Sequence, residues 1–92
     1  MAEHILKTLP VYWDAVNSRQ KRFEVRKNDR AFQPGDIVVL RRYDPTRCAF
    51  EMRPVRGVEY YDIRFKIGWM LQGGQFGIEP GYCVFQLEEV KE

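Results

Sequence analysis

Apolar and polar residues alternate along much of the chain, as they do in half-buried β-strands. The alternation is longest over residues 60–71. Five apolar residues in that segment fall on one face: Ile63, Phe65, Ile67, Trp69 and Leu71. Gly68 interrupts the run and is a candidate for a bend or bulge. We therefore predict a long strand here, with its apolar face towards the core.

Shorter segments with strand character precede and follow it. They cover residues 3–8, 22–27, 37–40 and 83–87. In the second segment Phe23 and Val25 point one way, whereas Arg22, Glu24 and Arg26 point the other. This pattern predicts a half-buried strand with an apolar face and a charged face.

One short amphipathic helix is predicted over residues 10–19. Pro10 suits the first turn of a helix. Tyr12, Ala15, Val16 and Arg19 follow at helical spacing.

Turn residues separate the predicted strands. Gln33-Pro34-Gly35-Asp36 and Glu79-Pro80-Gly81-Tyr82 combine a proline at the second position with a glycine at the third, as a type II turn requires. Asp44-Pro45-Thr46 is a further turn. The glycine-rich loop over residues 72–77 is predicted to form a tight turn with Phe76 directed inwards. Residues 47–57 give no clear pattern.

Five or more strands and one helix within 92 residues indicate a mainly β (α+β) fold in one domain spanning residues 1–92. A small sheet of this length tends to curl and close, which protects its edges. We therefore predict a small β-barrel with one short N-terminal helix.

Composition restricts the class further. The chain is 45% hydrophobic and 30% charged, as globular domains are, and no apolar run approaches the ~20 residues of a membrane helix. No secretory signal is visible, so a cytoplasmic location is expected. Cys48, Cys83 and the single His4 do not match a zinc motif, and neither a metal nor another cofactor is predicted. We expect reduced thiols, Cys83 in the core and His4 in a structural role.

Charge is uneven along the chain although its net value is only +2. Residues 19–56 hold eleven Lys/Arg against five Asp/Glu, and the remaining residues hold four against eight. Most of the basic residues are arginines, which bind phosphate through two parallel hydrogen bonds and stack on bases. Two interpretations stay open: a polyanion-binding face, or a solvated surface with local ion pairs.

Lys21, Glu24 and Arg26 form the main candidate site. Glu24 and Arg26 share a strand face, and Lys21 precedes that strand. A carboxylate between two cations keeps its charge, so it suits an exocyclic amine better than it suits acid–base catalysis. The alternatives are an ion-pair ladder that supports the sheet, a ligand site and a catalytic site.

The chain also resembles a known family in two strings. They are Lys21-x-Phe23-Glu24-Val25-Arg26-Lys27-Asn28-Asp29-Arg30 and Gln72-Gly73-Gly74-Gln75-Phe76-Gly77. The resemblance runs from His4 to about Leu87. It is to an uncharacterised bacterial and phage family of the activating-signal-cointegrator homology (ASCH) group, in the PUA-like superfamily. It implies a PUA-like β-barrel that binds RNA or a modified nucleoside in a cleft.

Some small ASCH proteins are amidohydrolases that deacetylate acetylated cytidine, with a Lys-x-x-Thr pair and a distant glutamate. Lys21 matches that lysine and Arg26 matches the arginine that follows it. Glu24 stands in place of the threonine, which removes the expected nucleophile. Arg19 replaces a usual glycine and is expected to add charge at the cleft entrance.

We therefore predict a cleft, lined by Lys21, Glu24 and Arg26, that binds RNA, a nucleotide or a modified nucleoside. Further phosphate contacts are expected from Arg19, Arg22, Lys27, Arg30, Arg41 or Arg42. Base stacking is a possible role for Tyr12, Trp13, Tyr60 and Tyr61. One alternative is an amidohydrolase with Lys21 and Glu24 as acid–base partners. Another is a protein-interaction module with an apolar patch around Trp13 or Trp69. The oligomeric state is left open.

Overall fold

The computed structural model describes residues 2–50 and 60–90. These residues form β1 (Glu3–Thr8), α1 (Pro10–Asn17), β2 (Phe23–Lys27), β3 (Ile37–Asp44), β4 (Ala49–Phe50), β5 (Ile63–Gln72) and β6 (Tyr82–Glu89). Every predicted strand and the helix are confirmed. The helix ends two residues earlier than predicted, and β3 continues four residues past Leu40. Within the unclear segment, β4 pairs with β3, and residues 51–59 lie outside the described part.

The strands form one sheet in the order β1-β3-β5-β6-β2, with β4 on the far part of β3. β1 is parallel to β3, and the other neighbours are antiparallel. β1 and β2 are therefore the two edges, and they run in opposite directions. No backbone ladder joins them in the described residues. The mainly β fold is confirmed, whereas the sheet is open rather than closed into a barrel.

The core lies between the curled sheet and α1. Its fully buried members include Leu6, Trp13, Val16, Phe32, Val38, Leu40, Ile67, Cys83 and Phe85. The indole Nε1 of Trp13 donates to the Leu40 carbonyl at 3.2 Å, so its polar atom is satisfied inside the core. The helix therefore buries Trp13 and Val16, and Tyr12, expected on the apolar face, is half exposed. No helix of the described residues is long and apolar enough to span a bilayer.

The bend or bulge predicted at Gly68 is confirmed as an irregularity in the strand pairing, and it changes the outcome for the residues beyond it. Ile63, Phe65 and Ile67 are buried as predicted. The register of β5 against β6 shifts between Ile67 and Met70. Trp69 is consequently 67% exposed, so the prediction that it shares the buried face is wrong.

The two proline–glycine turns are confirmed. In each turn the fourth residue donates its N–H to the first carbonyl, at 3.1 Å, and Gly35 and Gly81 have positive φ. The inward direction predicted for Phe76 is wrong, because this side chain is 85% exposed. Phe76 and Gly77 both have positive φ, and the Ile78 N–H bonds the Gln75 carbonyl. This is a two-residue turn of type I′, which directs its central residues into solvent.

His4 has the structural role that was expected. Its Nε2 lies 2.9 Å from Oδ2 of Asp36, and both side chains are largely buried. Asp36 also accepts hydrogen bonds from the N–H groups of Ala2 and Gln33. Burial alone would raise the pKa of Asp36, but these hydrogen bonds outweigh it and hold the pKa below its usual value.

Both cysteines are free thiols. Cys83 lies in the core, as predicted, and burial raises the pKa of its thiol. Cys48 is exposed.

Candidate functional site

The charged face of β2 is its buried face. Glu24 is only 3% exposed, whereas Phe23 and Val25 are 47% and 51% exposed. Glu24 pairs in register with Phe85 of β6, a core residue, and so points to the same side of the sheet. The alternation predicted from the sequence is present, but the apolar side chains of this strand face outwards.

Glu24 holds one cation at each carboxylate oxygen. Nζ of Lys21 lies 2.5 Å from Oε1, and Nε of Arg26 lies 2.8 Å from Oε2. Lys21 also donates to the Phe23 carbonyl at 2.6 Å, and Nη2 of Arg26 donates to Oγ1 of Thr8 at 3.3 Å. The side chains of Lys21 and Arg26 keep 18% and 24% of their surface exposed. The cations therefore remain accessible while the carboxylate that orients them is covered.

A cavity of about 520 Å³ opens beside these three residues. Its size falls within the ~300–1,000 Å³ of typical small-molecule sites. It lies between the end of β1, the start of α1 and the edge of β2. Its lining consists of Lys7, Thr8, Leu9, Tyr12, Lys21, Phe23, Glu24, Val25 and Arg26. Lys21, Glu24 and Arg26 are thus brought together at a concave surface, as the sequence predicted.

The edge of β2 adds backbone groups to this cavity. The Leu87 N–H donates to the Arg22 carbonyl, and the Asn28 N–H donates to the Gly81 carbonyl. Because hydrogen-bonded and non-hydrogen-bonded pairs alternate in an antiparallel ladder, the N–H and C=O of Val25 point away from β6. In the described residues neither group has a partner. Val25 therefore presents a neighbouring donor and acceptor on the side of the strand that borders the cavity.

Two arginines bridge the gap between the sheet edges. Arg26 reaches Thr8, and Arg30 donates to the Ile5 carbonyl at 2.9 Å. These contacts follow the antiparallel order of β1 and β2, and the cavity lies at the Thr8 end of the gap.

The site has more hydrogen-bond donors than acceptors to offer a ligand. Lys21 uses two of the three N–H bonds of its ammonium group, and Arg26 uses two of the five in its guanidinium. With Lys7, the lining carries three cations and one carboxylate. The arrangement favours a ligand that is anionic or rich in acceptor oxygens.

The other basic residues named from the sequence lie outside this lining. Arg19 contacts Glu89 at 2.5 Å, Arg41 binds Asp62 through two hydrogen bonds, and Arg42 binds Asp14. The bond to Asp62 raises the pKa of Arg41. Arg22 donates to the Arg19 carbonyl, Arg30 spans the gap, and Lys27 is exposed beyond the lining. The structure therefore does not bring these other basic residues together with Lys21, Glu24 and Arg26.

Six lining residues were not among the predicted ligand residues: Lys7, Thr8, Leu9, Tyr12, Phe23 and Val25. Tyr12 was named only as a stacking candidate, and it is half exposed on the wall of the cavity. Trp13 is buried, and Tyr60 and Tyr61 pack edge-on against it. No local pattern pointed to β1 as part of the site, because the approach of its end to β2 depends on the curl of the whole sheet.

The chemistry of the lining suits binding better than catalysis. The hydroxyl of Thr8 donates to the Leu6 carbonyl and accepts from Arg26, so no base faces its proton. Lys21 and Glu24 neutralise each other as an ion pair. In the described residues no three His, Cys, Asp or Glu side chains group as metal ligands.

Comparison with known proteins gives a family and no function. No curated protein matches the chain. Residues 3–87 match the family described as Domain of unknown function (DUF3850), and this match includes every strand except the last two residues of β6. The chain therefore belongs to the DUF3850 family.

Proposed function

We propose that this cavity binds a nucleotide, a modified nucleoside or one residue of an RNA chain. The observation that carries the proposal is the buried Glu24, which holds Lys21 and Arg26 at the wall of an open cavity of about 520 Å³. A carboxylate in this position fixes the direction of both cations before a ligand arrives. Such preorganisation lowers the entropy that binding costs.

Six residues of the lining have roles in this binding mode. Arg26, Lys21 and Lys7 hold phosphate or carbonyl oxygens. The ring of Tyr12 stacks on the base, and the Val25 N–H and C=O meet the donor and acceptor at the base edge. Glu24 is covered and orients the two cations, and it does not contact the base itself.

The proposal extends to the superfamily. We infer a PUA-like domain of the ASCH type, in line with the resemblance of the two sequence strings. Six strands, one short helix and a cleft beside Lys21, Glu24 and Arg26 support it.

Binding of nucleotides tests the proposal directly. We expect the four nucleoside 5′-monophosphates and a mixed 10-nucleotide RNA to bind in calorimetry at low salt, and more weakly as salt rises. Arg26→Ala should lower the affinity roughly tenfold or more, because hydrogen bonds from charged groups are lost. Arg64→Ala is the matched control, since Arg64 forms an exposed pair with Glu3 outside the cavity and should bind like the wild type.

Tyr12→Ala gives a second measurement if Arg26→Ala unfolds. Tyr12 is half exposed, so its loss should weaken binding without disturbing the core. Absence of binding to every monophosphate and to the RNA at low salt would overturn the proposal.

A hydrolase is less well supported by the same lining. We expect acetylated cytidine to remain intact after incubation with the protein, as followed by chromatography. Its conversion to cytidine and acetate, lost in Lys21→Ala, would replace the binding proposal by the amidohydrolase.

A further inference from the structure

A second set of aromatic and basic residues adjoins the cavity through Lys7. Its Nζ lies 4.7 Å from the ring centre of Tyr43 and 6.0 Å from that of Phe50. Lys7 also belongs to the cavity lining. One cation therefore stands between the cavity and a pair of aromatic rings.

Tyr43 and Phe50 form this pair across the β3–β4 hairpin. They are in register, with ring centres 5.3 Å apart in an edge-to-face arrangement. The guanidinium carbon of Arg41 lies 5.5 Å from the ring centre of Phe50. Tyr43 is half-buried and Phe50 is 38% exposed. We call Lys7, Arg41, Tyr43 and Phe50 the hairpin platform.

We propose that the ligand is a single-stranded nucleic acid that continues from the cavity onto the hairpin platform. This rests on the proposed function of the cavity. One base occupies the cavity, the next stacks on Phe50, and Lys7 neutralises the phosphate between them. Aromatic rings interleaved with cations are the usual surface for single strands, because every base has a stacking face and every link has a charge.

The chemistry of the platform favours a nucleic acid over an added peptide strand. A peptide that extended the sheet would need the gap between β1 and β2, and Arg26 and Arg30 already bridge that gap. The platform lies outside the gap, where a chain can leave the cavity. Arg41 is paired with Asp62, so the charge of Lys7 is the one that attracts the repeating anion of a nucleic acid more strongly than a mixed peptide.

The proposal is tested by comparing the affinity for an oligonucleotide with the affinity for a single nucleotide. The full chain is titrated with the four 5′-monophosphates and with 10-nucleotide RNA and DNA of one mixed sequence, followed by calorimetry. We expect at least one oligonucleotide to bind tenfold or more tightly than any monophosphate. RNA and DNA share the phosphate backbone, and comparison of their affinities shows which of the two the protein binds more tightly.

Substitution of Phe50 tests whether the higher affinity for an oligonucleotide comes from the hairpin platform. Loss of one base–aromatic stack is worth ~1–3 kcal/mol, or roughly 5- to 150-fold. Phe50→Ala should lower oligonucleotide affinity within this range and leave monophosphate affinity unchanged. Phe76→Ala is the matched control, because Phe76 is another exposed phenylalanine that lies outside both the cavity lining and the platform.

The outcomes separate the two proposals. Monophosphate binding without any gain for either oligonucleotide overturns the platform alone. Equal effects of Phe50→Ala and Phe76→Ala on oligonucleotide binding overturn it as well. If neither monophosphates nor oligonucleotides bind, the function of the cavity fails with it.

Discussion

Arg26 and Glu24 lie two positions apart on β2, and their side chains meet at 2.8 Å on the inner side of the sheet. Lys21 reaches the other oxygen of the same carboxylate from the segment before the strand. Glu24 is thus a shared anchor for two cations that both border the cavity. Its removal should affect stability as well as binding.

Glu24→Gln should lower the free energy of unfolding by about 1–3 kcal/mol, because the isosteric amide leaves two partly buried cations without a counter-charge. Urea denaturation measures this change. Glu89→Gln is the control, because Glu89 pairs with Arg19 on the exposed surface, where an ion pair is worth about 0–1 kcal/mol. Equal losses in the two variants would contradict the anchoring role.

The free edge of β2 leads to a second prediction. Val25→Pro removes the N–H that points away from β6, and proline is tolerated on edge strands. We expect weaker monophosphate binding, by about 2- to 10-fold for one neutral hydrogen bond. Val25→Ala keeps the N–H and should retain most of the affinity. Thermal unfolding of both variants checks that the strand is intact, and equal affinities would rule out backbone recognition.

Arg19 has a φ of +66° just after α1, in the left-handed region that favours glycine. A residue with a side chain pays about 1–2 kcal/mol for this conformation. Arg19→Gly should therefore be more stable than Arg19→Ala by about 1 kcal/mol, since both lose the contact with Glu89 but only alanine keeps the strain. Chemical denaturation compares them, and a more stable alanine variant would contradict the strain.

Asp36 makes stability depend on pH. Its pKa is lower in the folded state than in the unfolded chain, so its contribution is present above the unfolded pKa of about 4 and is lost as pH falls through the folded value. Asp36→Asn should cost about 1–3 kcal/mol at pH 7, because one carboxamide oxygen replaces two acceptors.

The same variant should lose less stability than the wild type between pH 5 and pH 3, as measured by denaturation at each pH. Asp29→Asn is the control, because Asp29 is exposed. An unchanged pH profile in Asp36→Asn would show that the acid sensitivity comes from other groups.

Two glycines of β5 and its loop should respond differently to alanine. A Cβ at Gly73 would lie 2.1 Å from the Glu79 carbonyl oxygen and 2.6 Å from that of Tyr82. Both are backbone atoms, so Gly73→Ala should cost about 1–3 kcal/mol or more. At Gly68 the close atoms belong to the flexible end of Glu88, which can turn aside. Gly68→Ala should therefore cost less, and the reverse order in thermal unfolding would contradict this packing.

The local pattern of apolar, polar and turn residues was sufficient to predict most of the fold. Strand positions, both proline–glycine turns and the Gly68 bulge follow from alternation and turn chemistry, which act over a few residues. Alternation gives the period of a strand but not which face is buried, and β2 shows the difference. Its charged residues face inwards because β2 is an edge strand beside an open cavity, and this position depends on the topology of the sheet.

The candidate site likewise has a part that could be predicted from the sequence and a part that could not. Lys21, Glu24 and Arg26 are neighbours in sequence, and their grouping could be predicted from spacing. Lys7 and Thr8 join them from the opposite edge of the sheet, and Phe76 and Trp69 turn outwards through a tight turn and a bulge. These placements depend on distant pairing and on backbone angles that composition does not reveal.

In the described residues, the hydrogen bonds across the gap between β1 and β2 are donated by side chains. Arg26 donates to Thr8, and Arg30 donates to Ile5. Separation of β1 from β2 breaks these two hydrogen bonds and leaves the hydrogen bonds between paired strands intact. The pairing of all six strands therefore does not depend on the contacts that hold these two edges together beside the cavity.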